Sequence, residues 1–333
     1  MATTISLGRS RLNPAVTRLL RVTVSVGLLA LVIFLADWKE VWQTLRTVEI
    51  RWVVAAIALA ALDRLIINQR WQLLLEARGV DIGFAKVVRI QLGANFLGTF
   101  LPTSIGVDAI RIAALCRAGE PAPAVIAATL VDRISLILAT LLLGAVMLLF
   151  FAQSFIPRQI TDEVVTGTAV IFAVGAICLH KSVRRWVRLT LLPRVPERFR
   201  QTLHDIAEAA LTYRHEYRAM GGVAALTLLA FVVRIYFVQA LGFAVGANLS
   251  ILKLAMVVPI LWIIVMLPIT IGGLGVQDAG YVALMALMGV PASLAVSMSL
   301  IEHLVARLGS LPGALFVGET TAKKPPSALS RRA

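Results

Sequence analysis

Leu101-Pro102-Thr103-Ser104-Ile105-Gly106 and Leu267-Pro268-Ile269-Thr270-Ile271-Gly272 are two versions of one phrase. Each sits at the end of an apolar tract, 84–101 in the first case and 251–271 in the second. Proline deletes a backbone donor, and its ring collides with the preceding turn. Gly106, and the run Gly272-Gly273-Leu274-Gly275, reach backbone conformations closed to other residues. Irregular backbone at membrane depth survives only where protein or water satisfies its polar groups. Each segment is therefore expected to be re-entrant, or a broken span lining a cavity. Pro102, Gly106, Pro268, Gly272, Gly273 and Gly275 are the expected gating positions. A proline kink in a continuous helix is the simpler alternative.

The similarity spreads outward from the prolines. An offset of 170 aligns Asp108 with Asp278, Gly119 with Gly289, Pro121 with Pro291, and Asp132-Arg133 with Glu302-His303. Upstream it pairs Arg64 with Arg234 and Gln69 with Gln239. Residues 52–150 and 222–320 thus read as two copies of one unit, each a helix, a proline-broken segment and a second helix. Three full spans, 124–151, 164–180 and 220–245, separate the breaks, and an odd number of crossings inverts the second copy. Inverted repeats with discontinuous helices meeting near the midplane are a recurring transporter architecture.

Composition demands a bilayer. Of 333 residues 59% are hydrophobic and 15% charged, with mean hydropathy +0.87. A soluble domain carries about 45–50% apolar and about 25% charged residues. Apolar runs of membrane length recur at 20–36, 52–67, 124–152, 164–179, 220–245 and 292–317. The expectation is an all-α polytopic membrane protein, with about six full spans plus two broken segments and up to eight spans in all. It forms a single integral domain over 1–321 with a basic loop at 181–219. The first run is long and has no small-residue cleavage site before Asp37-Trp38, so it is expected to stay as an anchor. In the loop, Leu203, Ile206, Ala210 and Leu211 lie among charged residues and suggest an amphipathic surface helix. Residues 322–333, rich in Lys, Pro, Ser and Arg, read as a disordered cytoplasmic tail.

The net charge of +14 invites a nucleic-acid reading, but its distribution argues against one. Of 32 Lys and Arg, 23 fall in 1–21, 68–90, 103–123, 181–219 and 319–333, and only five in 37–51, 152–163 and 247–253. That asymmetry is the positive-inside pattern. It expects both termini and the basic loop in the cytoplasm of a bacterial inner membrane, against anionic headgroups. Cys116 and Cys178 are far apart and read as packing residues.

Charge at the bilayer centre costs about 2.5–3.5 kcal/mol per residue on insertion scales, so it normally faces the interior with a partner. Asp63-Arg64, Asp132-Arg133, Arg234, Glu302-His303 and Arg307 lie in or near apolar helices, while Asp108, Arg111 and Asp278 follow the breaks. The candidate substrate-binding set is Arg64, Asp108, Arg111, Asp132, Arg133, Arg234, Asp278, Glu302, His303 and Arg307. His303 and Arg307 share a helix face at i,i+4, and Arg133 is expected to face the second copy. Helices starting after Pro102 and Gly275 would turn positive ends toward an anion. The competing reading is ion pairing that holds the copies in register, with Asp108 and Asp278 as helix caps and Arg64 and Arg307 snorkelling.

No phosphate-gripping nucleotide loop is present, and the Gly272–Gly275 run has no strand before it. No His, Cys or Glu cluster has metal spacing, and no nucleophile–base arrangement stands out. His180, His204 and His215 read as loop or interfacial residues. Neither enzyme activity, cofactor nor metal is expected.

Arg70-Trp71 with Leu74, Leu75 and Gly79, then Pro102 through Gly106 with Asp108 and Arg111, then Asp132-Arg133, resemble the lysylphosphatidylglycerol-synthase transmembrane family, also known as flippase-like or UPF0104. Pro268 through Gly275, followed by Asp278 and Gly289, resembles its second signature. The resemblance covers about residues 20–318. It implies lipid translocation. Multidomain members flip aminoacylated phosphatidylglycerol made by a soluble carboxy-terminal synthase domain, which is not expected here. Stand-alone relatives are linked to polyprenyl-phosphate sugars, other glycolipids or hopanoid pathways. Val107 stands where the family usually has a second glycine, and Asp132 and Asp278 where it usually has Glu, each shorter by one methylene.

The expected function is translocation of an anionic lipid or lipid-linked headgroup, by flipping or scrambling, with membrane lipids as partners. A secondary transporter of a small amphipathic solute shares the same architecture. A non-transporting partner of a lipid-modifying or glycosyl-transferring enzyme is the third reading.

Overall fold

The computed structural model describes residues 37–100, 105–151, 158–180, 197–266 and 275–321, together with 23, 27, 34, 185 and 190. Asp37 opens the first described helix, its Oδ1 accepting from the backbone N of Lys39 at 2.9 Å and of Glu40 at 3.4 Å. That helix is α1, Trp38–Arg46, followed by α2, Ile50–Glu76. Then come α3, Phe84–Gly98, and α4, Ile105–Arg117, on either side of the first proline phrase. Next are α5, Ala122–Phe151, and α6, Arg158–Leu179. The amphipathic α7, Glu197–Thr212, leads through a 3-10 turn, Tyr213–His215, into α8, Tyr217–Ala244. The second unit continues with α9, Ile251–Met266, α10, Val276–Ala286, and α11, Ala292–Leu308. A 3-10 segment, Leu311–Phe316, and α12, Val317–Thr321, close the described chain. The described residues contain no strand.

Among the described residues, three stretches are long and apolar enough to cross a membrane: Ala122–Phe150, Tyr217–Ala244 and Ala292–Thr321, of 29, 28 and 30 residues. At 1.5 Å rise per residue such helices reach about 40 Å, more than the ~30 Å hydrocarbon core. The run expected at 52–67 lies within α2, whose 27 residues are interrupted by Asp63, Arg64 and Arg70. That expected at 164–179 lies in α6, and 20–36 falls almost wholly outside the described residues. Exposed Leu130, Ile134 and Ile137 on α5, and Leu228, Val232 and Tyr236 on α8, repeat at helical spacing on outward faces. In a membrane protein such faces meet lipid.

Helix ends in the two similar stretches are alike in the backbone. After α4, Gly119 N bonds Cys116 O and Glu120 N bonds Leu115 O; after α10, Gly289 N bonds Ala286 O and Val290 N bonds Met285 O. After α2, Gly79 N bonds Glu76 O and Val80 N bonds Leu75 O; after α8, Gly246 N bonds Phe243 O and Ala247 N bonds Gly242 O. All four glycines have positive φ, at 97°, 78°, 72° and 80° respectively, the left-handed geometry that ends a helix cheaply only with glycine. Packing is duplicated too. The most extensive contact joins the equivalent helices α2 and α8. Around it α2 meets α3, α5 and α11, while α8 meets α9, α11 and α5. α5 lies on α9, where Gly144 admits Pro259, and the continuation of α11 lies reciprocally on α3.

Each copy has its own core. Trp71, Leu74, Leu75, Val87, Leu115 and Val125 centre the first. Phe237, Leu241, Leu254, Tyr281, Met285 and Met298 centre the second. Pro102 and Pro268, with Gly272 and Gly273, lie in 101–104 and 267–274, outside the described residues.

Candidate functional site

A cavity of about 490 Å³ opens between the two copies. Arg64 from α2 and Arg234 from α8, equivalent under the offset of 170, enter it from the central helix pair. Arg234 Nη2 donates to Glu302 Oε1 at 2.6 Å, and its Nη1 stands 4.0 Å from Asp63 Oδ2. Its guanidinium lies 4.9 Å from the Phe237 ring centroid and 5.5 Å from that of Trp262, cation–π distances that hold the group in place. The second Glu302 oxygen accepts the phenol of Tyr281. Arg64 Nη2 donates to the carbonyl of Ala306 at 3.3 Å. Among the described residues neither Arg64 nor Arg307 has an acidic group within 4.0 Å. Three arginines thus face two carboxylates, Asp63 and Glu302, and the chamber carries an excess of positive charge.

His303 also faces the chamber, with Nε2 3.1 Å from Asp278 Oδ1. Asp278 itself stands behind. Its Oδ2 accepts from the Gly275 backbone N at 2.9 Å and its Oδ1 from Ser299 Oγ at 2.5 Å. It caps α10, as the competing reading for this position expects, and its oxygens are occupied. Gly275, at φ 82°, starts that helix.

The first copy gathers its charges elsewhere. Arg70 and Asp132 meet at 2.7 Å with side chains 1% and 5% exposed. Arg111 Nη2 joins them, 3.3 Å from Asp132 Oδ2 and 3.0 Å from Asp108 Oδ1. Arg133 Nε donates to Asp108 Oδ2 at 2.6 Å. Arg70 Nη1 reaches Thr227 on α8 at 3.1 Å, and Arg111 lies 4.5 Å over the Trp71 ring. This chain of alternating charges ties α2, α4, α5 and α8 together. Buried ions survive only so paired.

Of the ten residues expected to bind substrate, Arg64, Arg234, Glu302, His303 and Arg307 line the cavity. Asp108, Arg111, Asp132 and Arg133 belong to the buried network, and Asp278 supports His303. Arg133 does not reach across to the second copy; it bonds within its own, because Asp108 on α4 lies directly against it. The first break reaches the cavity through Gly98, Thr99 and Val107, and the second through Gln277. Gly106 sits in the first turn of α4 beside Val107.

Several lining residues went unsingled in the sequence: Asn68, Gln91, Asn95, Gln277 and Trp262. A usable signal existed. Arg64 with Asn68, and Gln91 with Asn95, are i,i+4 pairs that put polar groups on one face of an otherwise apolar helix. Gln91 Nε2 indeed donates to Asn95 Oδ1 at 2.9 Å. Among the described residues no group of three His, Cys, Asp or Glu is placed to hold a metal.

The chain is similar to a protein named UPF0104 membrane protein from Methanothermobacter thermautotrophicus, 23% identical over 305 residues that cover 85% of this chain and 89% of that one. No solved structure matches it. Residues 18–313, spanning both copies and the cavity between them, match the family described as the lysylphosphatidylglycerol synthase TM region. The chain belongs to that family, the membrane region of lysylphosphatidylglycerol synthases.

Proposed function

We propose that the chain moves an anionic lipid or lipid-linked headgroup across the membrane, by flipping or scrambling, through the cavity between its two copies. The observation that carries this reading is the excess of guanidinium over carboxylate in a chamber within the membrane region: Arg64, Arg234 and Arg307 against Asp63 and Glu302. Arg234 is already engaged by Glu302. Arg64, apart from its one bond to the Ala306 carbonyl, and Arg307 have no acid within 4.0 Å among the described residues and can turn guanidinium donors to a phosphate, which guanidinium matches in charge and geometry. Asn68, Gln91, Asn95 and Gln277 offer neutral donors and acceptors to the rest of the headgroup. Acyl or isoprenoid tails stay in the bilayer, and the segments around Pro102 and Pro268 gate entry. By the distribution of Lys and Arg, the membrane is the bacterial inner membrane and both termini are cytoplasmic. A lipid-modifying or glycosyl-transferring enzyme is the natural partner, making or consuming the lipid moved.

The test is reconstitution of the full chain into vesicles carrying headgroup-labelled phosphatidylglycerol. Arg64→Ala and Arg307→Ala should each slow label movement about tenfold or more, since a charged hydrogen bond is worth about 1.5–3 kcal/mol. Wild-type rates in both variants would overturn the assignment. Uptake of a small amphipathic solute without label movement would favour a solute transporter instead.

A further inference from the structure

Asp63 is 5% exposed, and its Oδ1 has no hydrogen-bond partner among the described residues. Its Oδ2 lies 4.0 Å from Arg234 Nη1, the outer limit of an ion pair. The other acids nearby are held far better. Glu302 takes Arg234 at 2.6 Å and the Tyr281 phenol, and Asp278 takes Gly275 N, Ser299 and His303. A buried carboxylate keeps its charge through donors and nearby cations, and Asp63 has the fewest close ones. The charged and titratable groups around it are Arg64 and Arg70 on its own helix, Arg234 on α8, Tyr281 on α10, and Glu302, His303 and Arg307 on α11. Under the offset of 170 its counterpart is Val233, so this acid is unduplicated beside the duplicated pair Arg64 and Arg234.

We propose that Asp63 is a proton-binding site coupled to the anion: it takes up one proton at Oδ1 as an anionic headgroup settles against Arg64 and Arg307, and releases it when the headgroup leaves. This rests on the anionic-headgroup reading of the cavity. Two negative charges in one low-dielectric chamber repel, and protonating the acid with the fewest donors removes that repulsion. By reciprocity, protonation strengthens anion binding as much as the anion strengthens protonation. A singly charged headgroup then crosses with a proton as a neutral pair, so a pH difference, rather than the membrane potential, sets its direction.

The test uses the purified full chain in weakly buffered detergent with a pH-indicator dye, titrated with dihexanoyl phosphatidylglycerol and, as zwitterionic control, dihexanoyl phosphatidylcholine. Wild type should take up close to one proton per phosphatidylglycerol bound and none with the control. Its affinity should weaken about tenfold per pH unit where Asp63 is ionised. Asp63→Asn should bind the anion with no uptake and no pH dependence, Asp63→Glu should regain uptake, and His303→Gln should keep it. Saturable binding by wild type without uptake overturns the proton site alone, as does normal uptake in Asp63→Asn or its loss in His303→Gln. No saturable binding of phosphatidylglycerol by wild type overturns the headgroup reading, and the proton site with it.

Discussion

Asp108 takes the guanidinium of Arg133 at 2.6 Å, and the same arrangement recurs in the second copy with a different cation: Asp278 meets His303 at 3.1 Å. The neighbouring pair changes in the same sense. Arg111 on Asp132 becomes, at the offset of 170, Tyr281 on Glu302. Where the first copy uses permanent cations, the second uses a histidine that lines the cavity and a buried phenol behind it. The paired charges of the first stretch thus form a frame beside the chamber, while Glu302 and His303 at the corresponding positions of the second line it.

The frame reading makes Asp132 a stability residue. Asp132→Ala would leave Arg70 and Arg111 buried with their main counter-charge gone, a change that costs about 3–5 kcal/mol. Thermal or denaturant unfolding in detergent measures it. A loss below about 1 kcal/mol would mean that water or a rotamer change rescues both arginines, and that the network is not the frame.

Arg133 separates the frame from the cavity by another route. Its side chain is 35% exposed, it pairs with Asp108, and it does not line the chamber. Arg133→Ala should therefore leave label movement in vesicles within about twofold of wild type, while Arg307→Ala abolishes most of it. Equal defects in the two variants would show that the headgroup path runs past α4.

How much of this was legible beforehand follows from what each signal encodes. Proline, glycine and the offset of 170 report backbone geometry, and the matching helix ends at Gly119 and Gly289 lie at that offset. The cost of intramembrane charge flags Arg64, Arg234, Glu302 and Arg307, all on the cavity. Which acid each arginine takes was not legible. Asp132 takes Arg70 and Arg111, and Arg133 takes Asp108 rather than facing the second copy, because α2 and α4 both pack against α5, a tertiary fact with no local signature. Asn68, Gln91 and Gln277 stayed hidden for another reason: a neutral amide in an apolar helix is inexpensive enough to pass for ordinary composition.

Tyr213 predicts an alkaline limit on stability. It lies in the turn before α8, buried, with its hydroxyl donating to Leu74 O at 2.5 Å. Burial pushes the phenol well above its ordinary 10.0, more than the nearby Arg78 guanidinium pulls it down. The neutral form is the one the fold favours, so its contribution is fully present below pH 10.0 and is lost as pH rises through the higher folded value. Unfolding midpoints of wild type should fall above that pH, by about 1.4 kcal/mol of stability per unit while only the unfolded phenol ionises. Tyr213→Phe should lose about 1 kcal/mol at neutral pH and show a flatter alkaline limb. Parallel limbs in the two proteins would refute the assignment.

The last described segment is strapped to α3 at backbone distance, and glycines make that possible. A Cβ on Gly313 would stand 2.6 Å from the Leu92 carbonyl carbon and closer still to its oxygen. A Cβ on Gly93 would run into Thr320 Oγ1 and stand 3.0 Å from Phe316 O. α3 carries Gln91 and Asn95 to the cavity and leads into the first break, so the strap sets one wall of the chamber. Because the obstacle at Gly313 is backbone, relief requires the strap to lift. Gly313→Ala should cost stability at the upper end of the about 1–3 kcal/mol typical of overpacking and slow headgroup movement as well. Gly221→Ala, with open space around its Cβ within α8, should instead gain about 0.5–1 kcal/mol. The ion pair of Arg89 and Glu319, 3.1 Å apart but 44% and 47% exposed, should matter little in an Arg89→Ala variant. Unfolding midpoints and vesicle assays on the three variants together decide whether close backbone approach, rather than surface charge, holds the strap: a neutral Gly313→Ala beside a damaging Arg89→Ala would reverse the conclusion.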